Sequence, residues 1–190
     1  MEELQKVKEL LLKNQSKRMF AENIVIEYNN YFYKCPNFSW KFLFYKRINA
    51  FEFINKSYSL LLLYFSKDFN IANTKIINDE KFWYIIKQDK IKWTALVRKD
   101  LINNKIKNKV ILLLKINDEL WEKEWFFLDI LWTDIISNPL TFHNIFISDW
   151  ELYIFDFWLL NKNANSKTFR FLSYLFYYLQ NFWIKYILLK

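Results

Sequence analysis

Apolar residues recur at helical spacing over the first seventeen positions, where Leu4, Val7, Leu10 and Leu11 share a face. Glu2 and Glu3 stand at the start of that stretch and Lys13 and Lys17 at its end, the order that a helix dipole favours, so an amphipathic helix is predicted over 1–17. From Ile24 to Phe44 the pattern turns aromatic and irregular, with a break at Cys35-Pro36, and predicts strand or loop. Two helices are expected next, over Lys46–Asn55 and Ser57–Asp68, with Ser57 capping the second. The period then shortens. Thr74–Asn78 and Phe82–Ile86 are β-branched and aromatic runs separated by Asn78-Asp79-Glu80, and Lys90–Trp93 fits a third short strand. Residues 98–109, with Asn103, Asn104 and Asn108 among five basic residues, read as an exposed loop before the apolar run Val110–Ile116. Trp125–Trp132 and Ile145–Phe157 read as buried strands on either side of Asn138-Pro139.

The stretch Phe169–Leu189 raises the question of a membrane. Only fourteen residues separate Arg170 from Lys185, and Gln180 and Asn181 fall among them, too short and too polar for a span of about 20 residues. Leu172, Leu175, Phe176, Leu179, Trp183 and Tyr186 share a helical face, which predicts a helix packed on protein or RNA, with a membrane-surface helix as the alternative. The expected fold class is therefore α+β. Its segments are an N-terminal helix with an irregular extension over 1–45, a two-helix plus short-strand domain over 46–93, a basic loop and linker over 94–124, an acidic strand-rich extension over 125–160 and a terminal helix over 161–190.

Composition changes this picture in two ways. Glycine is absent, so turns that need positive φ fall to Asn or Asp, and 20 Asn residues supply them. Phe, Lys, Asn, Tyr and Ile, whose codons are AT-rich, dominate, yet there are nine Trp. Several mitochondrial codes read TGA as Trp, so the combination points to an organelle-encoded gene and a place in the mitochondrial matrix, with a bacterium that shares the reassignment as the alternative. The acidic start of the first helix is unlike a cleaved presequence, which agrees with synthesis inside the organelle. An aromatic content of 22% would be an aggregation hazard for a free chain and suits one packed permanently into an assembly.

One cysteine, Cys35, and one histidine, His143, leave no disulfide framework and no metal-ligand cluster, so neither a metal nor another cofactor is expected. Without glycine there is no glycine-rich phosphate loop. Asp129, Asp134 and Asp156 are the carboxylates that an acid–base pair would need, but scattered over predicted strands they read as edge or turn residues, and no enzymatic activity is expected.

Charge is uneven. Residues 46–117 hold 15 Lys or Arg against 6 Asp or Glu; residues 126–160 hold no cation and five carboxylates; residues 161–190 hold five cations and no acid. A basic middle and tail around an acidic block predict an anion binder with a separate docking surface.

Within 46–93 the order helix, helix, short strands is similar to the RNA-binding domain of the small-subunit ribosomal protein four family, whose first helix begins Arg-Leu-Asp and whose last strand ends Tyr-x-Val-Lys-x-Gly-Asp-x-Ile. Arg47-Ile48-Asn49 and Tyr84-Ile85-Ile86-Lys87-Gln88-Asp89-Lys90-Ile91 stand in those places. Leu128-Asp129-Ile130, Pro139 and Leu152–Phe157 resemble the family's C-terminal extension in order, so the likeness covers about half the chain in two pieces. The family's Ala-Arg-Gln is Leu63-Tyr64-Phe65 here, and both signature glycines are missing, which removes one basic RNA contact. The resemblance implies a structural protein of the mitochondrial small ribosomal subunit that binds ribosomal RNA and meets neighbouring ribosomal proteins through 126–160. Read from charge alone, Lys46, Arg47, Lys56, Lys67, Lys75, Lys87 and Lys90 are the expected RNA contacts; Tyr58, Trp83 and Trp93 are expected to pack in the core, with stacking on unpaired bases as the alternative. The rival expectation is an organelle-encoded accessory subunit of a respiratory-chain membrane complex, with the terminal helix touching the membrane.

Overall fold

The computed structural model describes residues 2–15, 23–37, 47–92, 94–130, 141–155, 159–161 and 167–189. In chain order the elements are α1 (Glu2–Gln15), β1 (Asn23–Tyr28), β2 (Tyr31–Pro36), α2 (Arg47–Phe65), β3 (Asn70–Ile71), β4 (Thr74–Asp79), β5 (Trp83–Asp89) and β6 (Thr94–Val97). A 3-10 turn (Arg98–Ile102) leads into α3 (Asn104–Glu124), followed by β7 (Phe126–Leu128), β8 (Thr141–Ser148), β9 (Glu151–Ile154), β10 (Leu159–Asn161), α4 (Lys167–Trp183) and a π-helical turn (Ile184–Leu188). The α+β class is as expected. Two compact units divide the chain, Met1–Lys56 with Ala72–Ile91 and Ser57–Ile71 with Lys92–Lys190, so the segment 46–93 is shared between them.

The first unit is an antiparallel sheet in the order β1-β2-β5-β4 with α1 on one face. Val7 and Leu11 of α1 are fully buried against Ile24, Ile26, Tyr33, Cys35 and Ile85, which lie at alternate strand positions on that face, and against Phe82 in the turn before β5. Polar ties fix the helix at its start and its middle: Tyr33 donates to Glu3 at 2.5 Å, and Lys8 pairs with Asp79 at 2.6 Å.

The two helices expected over 46–55 and 57–68 are one continuous helix. Nothing between Asn55 and Ser57 breaks the ladder, and Ser57 is a fully buried interior residue rather than a cap. Ala50, Ile54, Ser57, Leu61 and Phe65 form its buried stripe at steps of three and four. Residues 90–92 form no strand, the next strand opening at Thr94, while Trp93 lies outside the described residues. The loop expected over 98–109 is also corrected. Asn103 caps α3 by accepting from the Lys105 and Ile106 amides at 2.9 and 3.4 Å, and Ile106, Val110, Leu113, Leu114, Leu120 and Trp121 bury one face.

The second unit holds the mixed sheet β3-β9-β8-β6, in which only β3 and β9 run parallel, and the pair β10-β7. The strand expected over Trp125–Trp132 is shorter, and that over Ile145–Phe157 is the hairpin β8–β9; Asn138-Pro139, Trp132, Asp134, Asp156 and Phe157 lie outside the described residues. β7 is gripped by buried amides. Asn117 of α3 donates to the Leu128 carbonyl at 3.2 Å and accepts from its amide at 2.6 Å, and Gln180 of α4 donates to the same carbonyl at 3.0 Å and accepts from Ile130 at 2.7 Å. These bonds rotate α4 away from the predicted orientation. Ser173, Tyr177, Gln180, Asn181 and Ile184 face inward, while Leu175, Leu179 and Tyr186 of the expected packing face are exposed.

Hairpins β1–β2 and β8–β9 turn through two residues with positive φ, Asn29-Asn30 (49° and 62°) and Asp149-Trp150 (50° and 61°). Asn and Asp thus fill the role expected of them. Three tryptophans, Trp83, Trp125 and Trp150, adopt the same left-handed region, where a β-carbon costs about 1–2 kcal/mol.

Candidate nucleic-acid interface

The expected RNA contacts are divided between the two units. Lys46 lies outside the described residues, Arg47 opens α2, Lys56 is exposed on α2, and exposed Lys67 belongs to the second unit. Lys75, Lys87 and Lys90 belong to the first. Lys75 and Lys87 stand directly opposite on β4 and β5, and Tyr33 of β2 is opposite Lys87, so the three share a row on the sheet face that carries α1. A cleft of about 440 Å³ opens there, lined also by Glu3, Tyr31, Asn73 and Asp89.

Much of the charge in this row is already compensated. The Lys87 ammonium lies 3.0 Å from Glu3 and 3.9 Å from the Tyr31 ring centre, and Lys90 is 2.6 Å from Glu27. Hydrogen bonds from Tyr33 and then Lys87 hold the Glu3 carboxyl below its ordinary pKa. Lys75 alone of these three is exposed without an ion pair among the described residues. Of the stacking candidates, Trp83 is buried, Tyr58 is half-buried and Trp93 lies outside the described residues.

A denser cationic surface sits in the second unit. Between Lys92 and Asn117 the chain has seven Lys or Arg and one carboxylate, Asp100, which accepts from the Val97 amide at 2.9 Å. Arg98 and Lys99 are exposed on the 3-10 turn, and the first turn of α3 carries lysines and no acid. A helix N-terminus presents amide donors and a partial positive charge, so lysines there add to a field that attracts anions. Among the described residues Glu151 alone pairs with these lysines, reaching Lys105 at 2.6 Å and Lys109 at 2.5 Å. Lys92, Arg98, Lys99 and Lys115 are exposed and Lys107 half-buried, none with an ion pair among the described residues.

Trp150, at the β8–β9 tip, is 61% exposed and shares a cleft of about 630 Å³ with Lys92, Thr94, Asp100, Ile147, Ser148 and Asp149. An exposed indole next to ammonium groups can stack on a base while the cations meet the phosphates. Charge counting along the chain located these lysines but not Trp150, whose place depends on a hairpin.

Two expectations follow. Trp150→Gly removes the left-handed strain and should stabilise the fold by about 1 kcal/mol, read as a higher urea midpoint, while weakening binding to single-stranded RNA. An unchanged RNA affinity would remove Trp150 from the interface. The bonds from Lys105 and Lys109 hold the Glu151 carboxyl at about 2 instead of 4.5. Because this folded pKa is depressed, its contribution to stability is present above about 4.5 and is lost as pH falls towards 2. A carboxyl titration by NMR should give a midpoint near that lower value, and Lys109→Ala should raise it; a midpoint near 4.5 in the unsubstituted protein would dissolve the ion pairs.

Among the described residues no three His, Cys, Asp or Glu side chains are grouped to hold a metal, and no helix is long and apolar enough to cross a membrane. The chain matches no family model, no curated protein and no solved structure.

Proposed function

We propose that this chain is a non-enzymatic, RNA-bound component of a ribonucleoprotein particle, and that the particle is the mitochondrial small ribosomal subunit. The observation that carries the reading is the cationic start of α3: lysines on its first turn, Arg98 and Lys99 just before it, and one carboxylate shared by two ammonium groups. Such an excess outnumbers the carboxylates that meet it among the described residues and suits polyphosphate, whose neutralisation releases counterions. The exposed Trp150, which shares a cleft with Lys92, adds a base-stacking surface.

The likeness to the small-subunit ribosomal protein four family names the particle. Its first matching residues begin α2, and its strand signature falls on β5 and the residues just after, following the hairpin with β4. The acidic segment 126–160 would then meet neighbouring ribosomal proteins. A respiratory-chain accessory subunit is the second reading, favoured by the exposed aromatic residues of α4. Sedimentation separates the two: in low salt the protein should travel with small-subunit particles, and in high salt it should leave them. Recovery only in detergent extracts of membranes, with no ribosomal fraction, would sink the ribosomal reading.

A further inference from the structure

Helix α4 is inside out. Its buried side carries Ser173, Gln180 and Asn181, whereas Phe171, Tyr174, Leu175, Tyr178, Leu179 and Phe182 are exposed. Adding Tyr186 on the π-helical turn, these side chains follow steps of three and four along one face, a band about 22 Å long. The orientation is locked. Besides the bonds of Gln180, Asn181 and the Tyr177 hydroxyl both donate to Asp118, at 2.9 and 2.6 Å, and Tyr177 stacks on Trp121 at 4.6 Å. Burial and Asp118 together push the Tyr177 phenol well above its ordinary pKa, so this contact persists across the ordinary pH range.

An exposed band of this size calls for an occupant, and charge selects it. Residues 161–190 contain five Lys or Arg and no carboxylate, and Lys185, 46% exposed, lies at the end of the band with Asp118 at 3.4 Å. A second copy docked face to face would bring two acid-free tails together, which like-charge repulsion disfavours. RNA finds no cation anywhere from Phe171 to Phe182, where the band is continuous and apolar. A bilayer containing anionic phospholipid meets both demands, taking the apolar band into the acyl boundary and answering the net positive charge of 161–190; Tyr rings suit that depth because their hydroxyls stay wet.

We propose that α4 lies in the surface of an anionic bilayer, a peripheral contact that does not span it and that is separate from the cationic start of α3. The test is flotation of the purified full chain with vesicles of phosphatidylcholine alone or mixed with phosphatidylglycerol. The unsubstituted protein should float with the mixed vesicles and at least about tenfold less with the neutral ones. The triple variant Phe171→Asn, Leu179→Asn, Phe182→Asn alters only exposed side chains outside the Trp121–Tyr177 stack. It should keep the near-ultraviolet signal of the Trp121–Tyr177 stack and its RNA affinity, and lose vesicle binding by about a hundredfold. No flotation of the unsubstituted protein overturns the proposal, as does flotation that the triple variant retains. A dimer or a protein complex that the triple variant dissolves, without vesicle binding, gives the face to protein, and a loss of RNA affinity in the triple variant gives it to RNA; either result also overturns it.

Discussion

Asn117→Leu should lower stability by about 3 kcal/mol, although leucine nearly matches asparagine in shape and suits a fully buried position. The Leu128 amide donates to the Asn117 side chain at 2.6 Å, and leucine would leave that donor in the core without a partner. The Leu128 carbonyl keeps the bond from Gln180 in this variant. Gln180→Leu is the mirror case, orphaning the Ile130 amide while Asn117 still serves the carbonyl. In the double variant the carbonyl loses both donors. The combined loss should therefore exceed the sum of the single losses by about 1 kcal/mol, a coupling that a double-mutant cycle in urea reads directly. Strict additivity, or an unchanged midpoint for Asn117→Leu, would mean that these amides do not grip β7.

The same residues show where sequence reasoning stopped. A helix face of Leu4, Val7, Leu10 and Leu11 announces α1 because its partner can be any apolar sheet, and Val7 and Leu11 are buried as that face requires. The β4–β5 hairpin is legible for a similar reason: β-branched and aromatic runs flank Asp79, whose carboxylate accepts from the Lys81 and Phe82 amides to close the turn. Asn117 and Gln180 defeat such reading. Amides look like surface, and nothing local says that strand residues 11 and 52 positions from them leave backbone groups to satisfy. On α4, burying the amides turns Leu175, Leu179 and Tyr186 outward.

The RNA contacts divide along the same line. Excess charge is a local sum, so the basic middle of the chain is visible in sequence. Whether a given lysine is available depends on distant carboxylates: Glu3 reaches Lys87 across 84 residues and Glu27 reaches Lys90 across 63. Lys105 and Lys109 share Glu151 in the same way, yet the lysines and arginine around them outnumber the acids. The segment 98–109 looked like a loop because Asn and Lys are common in loops, whereas Asn103 and the buried Ile106 make it the start of a helix. That start supplies a dipole which loop lysines would lack.

The triple variant Arg98→Gln, Lys99→Gln, Lys107→Gln should bind RNA about a hundredfold more weakly at low ionic strength. None of the three side chains has an ion pair among the described residues, so the fold should be unchanged, with the same circular dichroism and urea midpoint. The salt dependence is the sharper measurement. Each phosphate contact removed lowers the slope of log affinity against log salt by about 0.7 for single strands, so the triple variant should lose about 2 in slope. Trp150→Gly acts through a ring rather than a charge and should weaken single-strand binding while leaving the slope alone. Lys75→Gln, on the first unit's sheet, is the comparison that decides between surfaces. If it reduces the slope and the triple variant does not, the RNA lies on the β4–β5 row that the family resemblance favours, and the start of α3 loses its assigned role.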